Sequence, residues 1–225
     1  MRKVQWLQCV ITCGHGLNNG DPIRYDLGGR TVGTIVKNVF QNGGIGDYSI
    51  VKINNNLFSP TYNVRNIPMY KAYTATNHNG QTVTVKGSNY LNGKGQVVNS
   101  NVAVDYDMGN NIYYTVNGLN IVNTTSGRAL SGDSGGACIN DNTFYGVLSG
   151  GLDNGSTTIK FFYSPIHLAM NAGFSLYPHP HSYAYVDYNV TYHKCICTLC
   201  GFYVLQKHSD TWDSSNNCCF VCGHS

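Results

Sequence analysis

Gly132-Asp133-Ser134-Gly135-Gly136 lies between Leu130 and the apolar run Ala137-Cys138-Ile139, so a glycine-rich turn feeds a strand-like segment. With 26 glycines in 225 residues, composition alone would produce such a pentapeptide in about one chain in a thousand. A nucleophilic serine needs a tight turn of this kind. The flanking glycines allow the backbone to bend and let the N–H groups of Gly132 and Ser134 face a developing oxyanion. An inert glycine turn is the plain alternative. Outward from this turn the chain is a series of short runs rich in Val, Ile, Tyr, Thr and Phe. They are Val32–Val36, Tyr48–Ile53, Thr82–Val85, Gln96–Val98, Asn101–Val104, Ile112–Val116, Phe144–Leu148 and Ile159–Tyr163, broken by Asn-Gly and Gly-Gly turn signals. Such runs without helical periodicity predict an all-β protein, a sandwich or a pair of barrels. One short helix is expected from Pro165 to Asn171, because Pro suits a first helical turn and Gly173 can end it.

Composition supports this reading. Only 11% of residues are charged and 42% are hydrophobic, which excludes a long disordered chain, a coiled coil and a charge-rich bundle. The net charge of +3 arises from 14 basic and 11 acidic residues scattered along the chain, with no Lys/Arg stripe, so nucleic acid is not an expected partner. No run approaches the roughly 18 apolar residues of a membrane span. The start, Met1 to Trp6, lacks the apolar stretch of a signal peptide. The strands fall into two groups, about 1–66 and 76–175, which together form one domain (1–175). Residues 176–190 read as a linker and 191–225 as a Cys-rich module.

A nucleophilic serine also needs a base and an acid that orients the base. Val10-Ile-Thr-Cys-Gly-His15-Gly places a histidine directly after an apolar strand, and Gly46-Asp47-Tyr-Ser-Ile-Val places an aspartate at the head of another. Alone, each is ordinary. In the order His15, Asp47, Ser134 they fit a catalytic triad: Ser134 the nucleophile, His15 the base and then the acid, Asp47 the group that fixes the imidazole. Asp105 and Asp107 are rival acids.

At these residues the chain resembles serine peptidases of the chymotrypsin fold, in particular the bacterial streptogrisin-like branch, over roughly residues 5 to 170. Thr12-Cys-Gly-His is similar to that branch's Thr-Ala-Gly-His, and Gly46-Asp-Tyr-Ser-Ile-Val to its Asn-Asp-Tyr-Gly-Leu-Val. Ser149-Gly-Gly-Leu resembles its Ser-Gly-Gly strand, and Phe161-Phe-Tyr-Ser-Pro-Ile its closing Phe-Phe-Gln-Pro-Val. The resemblance implies a double β-barrel and a serine endopeptidase that acts through an acyl-enzyme on protein or peptide substrates, with no catalytic cofactor. It also implies an oxyanion hole at Gly132 and Ser134, and a buried Asp133 paired with a cation. Lys86 resembles the position of the family's cation, although Lys lacks the planar fork of Arg; a solvated Lys on an edge strand is the alternative. Ser149, Gly150 and Gly151 would pair with the substrate backbone. Arg128 stands at the pocket floor and Lys160 on the opposing wall. Pointing inward, either would favour an acidic side chain before the scissile bond; pointing outward, they would leave an apolar pocket.

The chain also departs from the pattern. Only 14 residues precede His15, where the family builds about two more strands, so the first barrel is expected to be truncated. Gly16 stands where a Cys normally follows the His. Cys9 and Cys13, four apart on one strand, would lie roughly 13 Å apart and cannot bridge each other. The family is secreted, and a monomer is expected.

The tail carries Cys197-Thr-Leu-Cys200-Gly and Cys219-Phe-Val-Cys222-Gly. Two such knuckles fit a structural zinc-ribbon-like site with Cys197, Cys200, Cys219 and Cys222 as ligands. Cys195, Cys218, His193, His208 and His224 are spare candidates, and a disulfide-stapled module is the alternative. Two functional readings other than a peptidase stay open: a catalytically inactive, protease-like binding module and a zinc-ribbon docking protein.

Overall fold

The computed structural model describes residues 9–24, 29–54, 63–155, 157–174, 183–197, 203–213, 218–219 and 222. The chain divides into two compact units, Met1–Tyr177 and Pro178–Ser225. Among the described residues no helix is long and apolar enough to cross a membrane.

In the first unit, β1 (Cys9–Thr12), β2 (Pro22–Arg24), β3 (Thr31–Asn38) and β4 (Ser49–Ile53) form a four-stranded sheet in the order β1-β4-β3-β2. Strand β4 has a partner on each side, and Ser49, Ile50 and Val51 are all buried. Three two-residue strands follow: β5 (Asn63–Val64), β6 (Ile67–Pro68) and β7 (Lys71–Ala72).

The second group is β8 (Thr82–Lys86), β9 (Lys94–Asp107), β10 (Tyr113–Ser126), β11 (Ala137–Asn140), β12 (Thr143–Asp153) and β13 (Thr158–Pro165). Antiparallel pairing runs β8-β9-β10-β13-β12-β11, and β11 pairs back to β8, which closes a six-stranded barrel. Closure removes the free edges that an open sheet would expose. The runs at 96–98 and 101–104 belong to the single strand β9. It continues through Asn101, which takes φ 56°, while the β9–β10 register shifts between Leu119 and Ile121. Alternation fills the barrel, with Val83 and Val85 of β8 pointing inward beside Val97, Val122, Leu148, Phe161 and Tyr163. The helix α1 (Ile166–Asn171) starts after Pro165 and is followed by Gly173 at φ +93°, as its sequence implied.

Tyr48, which precedes β4, and Ile50 of β4 pack with Ile139, Phe144, Val147, Ile166 and Ala169, so one apolar cluster joins the open sheet to the barrel and the helix. The cleft between the two sheets is therefore fixed by hydrophobic burial.

In the second unit, β14 (Tyr183–Asp187), β15 (Tyr192–Cys197) and β16 (Tyr203–Lys207) form an antiparallel sheet. A 3-10 turn (His208–Thr211) leads on to the pair β17 (Trp212–Asp213) and β18 (Cys218–Cys219). Part of the stretch read as a linker is thus itself a strand of this unit.

Inside the barrel, His78 is fully buried, and its Nδ1 contacts the Tyr163 hydroxyl at 2.7 Å. Among the described residues, His78 Nε2 and the Nδ1 of neighbouring His167 have no hydrogen-bond partner. Burial, with a smaller contribution from His167, lowers the His78 pKa from 6.5 to about 4. The unfolded chain therefore binds the proton first, and stability present above pH 6.5 is lost as pH falls toward 4. Urea unfolding across this window should show that decline, and His78→Gln should flatten it, leaving the smaller slope due to His167.

Candidate active site

The His15 segment leaves β1 at Thr12, and Asp47 sits just before β4, the strand that pairs with β1. This pairing brings the two together. Asp47 is fully buried. Its Oδ1 accepts the N–H groups of Gly14 at 2.7 Å and His15 at 2.8 Å. Its Oδ2 accepts His15 Nδ1–H at 2.6 Å and the Ser149 hydroxyl, which in turn accepts from Tyr106. Four donors match the four lone-pair positions of a carboxylate, which makes a buried charge tolerable. Gly14 is required here because a Cβ at this position would lie 2.4 Å from Asn38 Oδ1 and 3.1 Å from Asp47 Oδ1.

Burial works against protonation of His15. The hydrogen bond and charge of Asp47, together with Cys13, outweigh it and raise the imidazole above its ordinary pKa. Phe40 meets the ring edge-on at a centroid distance of 5.9 Å, and Tyr106 lies on another side at 6.1 Å. Asp105 and Asp107 are elsewhere: Asp105 accepts from Thr115 Oγ1, and Asp107 from the Gly109 N–H.

Ser134 occupies the turn between Leu130 and β11. Its Oγ donates to Ser149 O at 3.4 Å, and among the described residues it has no hydrogen bond to His15. Gly132 takes φ +89° and Gly135 φ +83°. A Cβ at Gly135 would fall 2.2 Å from Thr12 Oγ1, so glycine lets the turn abut the end of β1. The Gly135 N–H donates to Leu148 O and that of Gly136 to Asp133 O, whereas those of Gly132 and Ser134 have no acceptor among the described residues.

Asp133 is buried behind this turn. Its carboxylate accepts the N–H of Asn89 at 2.7 Å, the N–H of Leu130 at 2.9 Å and the Ser88 hydroxyl at 3.3 Å. Lys86 is not its partner; Lys86 Nζ reaches Asn92 Oδ1. Neutral donors replace the expected cation, and Arg65 braces their loop by donating to the carbonyls of Gly87 and Asn89.

Beyond Leu148, β12 pairs only with β13 among the described residues, so its other edge at Ser149, Gly150 and Gly151 is open beside Ser134. Arg128 is half-buried, and its buried Nε has no acceptor among the described residues. The Thr158 hydroxyl ties the next residue, Ala129, to β13, two residues from the half-buried Lys160.

In the second unit, the ligand atoms of His193, His208, Cys219 and Cys222 lie within 4.8 Å of one another. Cys219 and Cys222 were expected as ligands. Cys200 and the side chain of Cys197 lie outside the described residues. Cys9 and Cys13 are both thiols.

A closed barrel and a joined sheet, with a histidine, a buried aspartate and a glycine-flanked serine at their cleft, define a chymotrypsin-fold serine peptidase. The trypsin family model matches residues 9–172; the chain belongs to this family and is a serine endopeptidase. Among solved structures, a chymotrypsin of Cellulomonas bogoriensis is 26% identical, with 72% of this chain and 81% of that one covered at a TM-score of 0.55. A Nocardiopsis protease is 25% identical, with 73% and 81% covered at 0.58. A protease described as glutamic acid specific is 26% identical, with 74% and 84% covered at 0.61. No curated protein matches the chain in sequence.

The side chains of Ser149 and Tyr106 are the site groups that sequence reasoning missed. Ser149 was read for its backbone, and Tyr106 was not singled out. Because Asp47 sustains the basicity of His15, NMR titration of the His15 ring should give a pKa above 6.5, and Asp47→Asn should bring it down.

Proposed function

We propose that Ser134, His15 and Asp47 are the catalytic triad of this peptidase. The observation that carries the reading is the 2.6 Å contact between His15 Nδ1 and a fully buried Asp47. With Nδ1 committed as donor, Nε2 carries the lone pair that accepts the Ser134 proton. Ser134 Oγ attacks the scissile carbonyl, and the oxyanion is met by the N–H groups of Gly132 and Ser134, which have no acceptor among the described residues. Asp47 stabilises the resulting imidazolium. The imidazolium then protonates the leaving amine as the C–N bond breaks, and water hydrolyses the acyl-enzyme by the reverse sequence. Contacts that are long in the free enzyme shorten when substrate binds, so the missing Ser134–His15 bond is compatible with this role.

The substrate backbone adds to the open edge at Gly150 and Gly151. Its side chain before the cut is acidic in this reading. Arg128 Nε is buried without an acceptor, which a carboxylate would supply, and a structural relative is described as glutamic acid specific. The C-terminal unit carries one structural zinc and catalysis needs none. A unit of this length gains too little from its apolar core to fold without a staple.

A fluorophosphonate probe should label Ser134, and Ser134→Ala should abolish labelling; an adduct on another residue would reject the triad. A peptide library should show Glu or Asp before the cut. Arg128→Ala should lower kcat/KM for those peptides at least tenfold, on the scale of about 1.5–3 kcal/mol for a hydrogen bond to a charged group. An aromatic preference indifferent to that change would reject the pocket.

A further inference from the structure

We infer that the zinc of the C-terminal unit is held by two imidazoles and two thiolates, His193, His208, Cys219 and Cys222, and not by four thiolates. This deepens the zinc reading above and rests on it. Cys219 Sγ lies 3.6 Å from His193 Nδ1, and Cys222 Sγ lies 3.5 Å from His208 Nδ1. A tetrahedral zinc with bonds of about 2.05 Å to nitrogen and 2.3 Å to sulfur sets that separation at about 3.55 Å. Both contacts therefore have the spacing of ligands that share one ion, and all four ligand atoms lie within 4.8 Å of one another.

The far side of each ring points to the same role. His193 Nε2 faces Gln206 Oε1 at 3.3 Å, and His208 Nε2 faces the Asn189 carbonyl at 2.8 Å. Those oxygens are acceptors, so Nε2 carries the hydrogen of the neutral ring and Nδ1 is left with its lone pair facing the sulfurs. Metal-ligating histidines are oriented by outer hydrogen bonds of this kind. The fold builds the arrangement from register: His193 on β15 stands opposite Gln206 on β16, and His208 follows β16 directly. Cys195 is outside the cluster, with its thiol turned to Gln206.

Charge balance agrees. On binding, the two thiols give up their protons, and two thiolates cancel the charge of one Zn²⁺. His193 and Cys219 are fully buried. A neutral centre suits that setting, whereas four thiolates would leave two uncompensated negative charges.

The test uses the full-length, reduced protein loaded with zinc. Elemental analysis should give one zinc per chain, and zinc X-ray absorption should show two nitrogens near 2.0–2.1 Å and two sulfurs near 2.3 Å. Cys197→Ser and Cys200→Ser should each retain the zinc, and His193→Ala and His208→Ala should each lose it. A shell of four sulfurs, or loss of zinc in the Cys197 or Cys200 variant with retention in both histidine variants, overturns this ligand set but leaves the zinc reading standing. A chain that takes up no zinc overturns both.

Discussion

The carboxylate of Asp47 is the constraint around which the first unit is arranged. A fully buried charge is tolerable only if its lone pairs are filled. The four donors come from two distant parts of the chain: the backbone N–H groups of Gly14 and His15 and the His15 ring, just beyond β1, and the Ser149 hydroxyl from the barrel. Each can reach Asp47 only if the open sheet and the barrel sit in one relative position. The apolar cluster around Ile50, Ile139 and Ile166 holds that position. Hydrophobic burial sets the cleft, and the carboxylate turns that rigidity into a fixed imidazole.

The nucleophile turn follows the same logic with a second buried carboxylate. Asp133 gathers the N–H groups of Asn89 and Leu130, so the loop after β8 and the approach to the turn are tied to one residue. Gly87 cannot carry a Cβ, which would lie 2.3 Å from Asp133 Oδ1. Among the described residues the backbone N–H groups of Gly132 and Ser134, on either side of Asp133, have no acceptor. In the proposed role as an oxyanion hole, such a preorganised donor pair would need no rearrangement when charge develops.

The β class and the short helix were legible in the sequence, because alternation and the Pro165/Gly173 boundaries are local signals; the strand runs alone left a sandwich or a pair of barrels open, and the barrels were implied only by the family resemblance. His15, Asp47 and Ser134 could be singled out as candidates because chemistry limits residue type and order. The rest depends on long-range geometry. Lys86 was placed beside Asp133 by the family resemblance, yet the carboxylate accepts the Asn89 and Leu130 N–H groups instead. The tail's two Cys-x-x-Cys pairs advertise themselves by spacing. His193 and His208 stood only as spare candidates, because they are separated in sequence and are brought together by the pairing of β15 with β16, which no local pattern encodes.

Ser149 shows why a motif can reveal a residue and conceal its function. In an extended strand the side chain and the carbonyl point in different directions. On β12, the Ser149 hydroxyl turns inward to Asp47 while its carbonyl accepts the Ser134 hydroxyl. The glycines that follow expose the strand edge, and Gly150 is also required because a Cβ there would lie 2.7 Å from the Phe162 ring. One strand position thus links Asp47, Ser134 and the open strand edge. In the proposed mechanism, a peptide placed on that edge would be coupled through the single side chain of Ser149 to the carboxylate that orients His15.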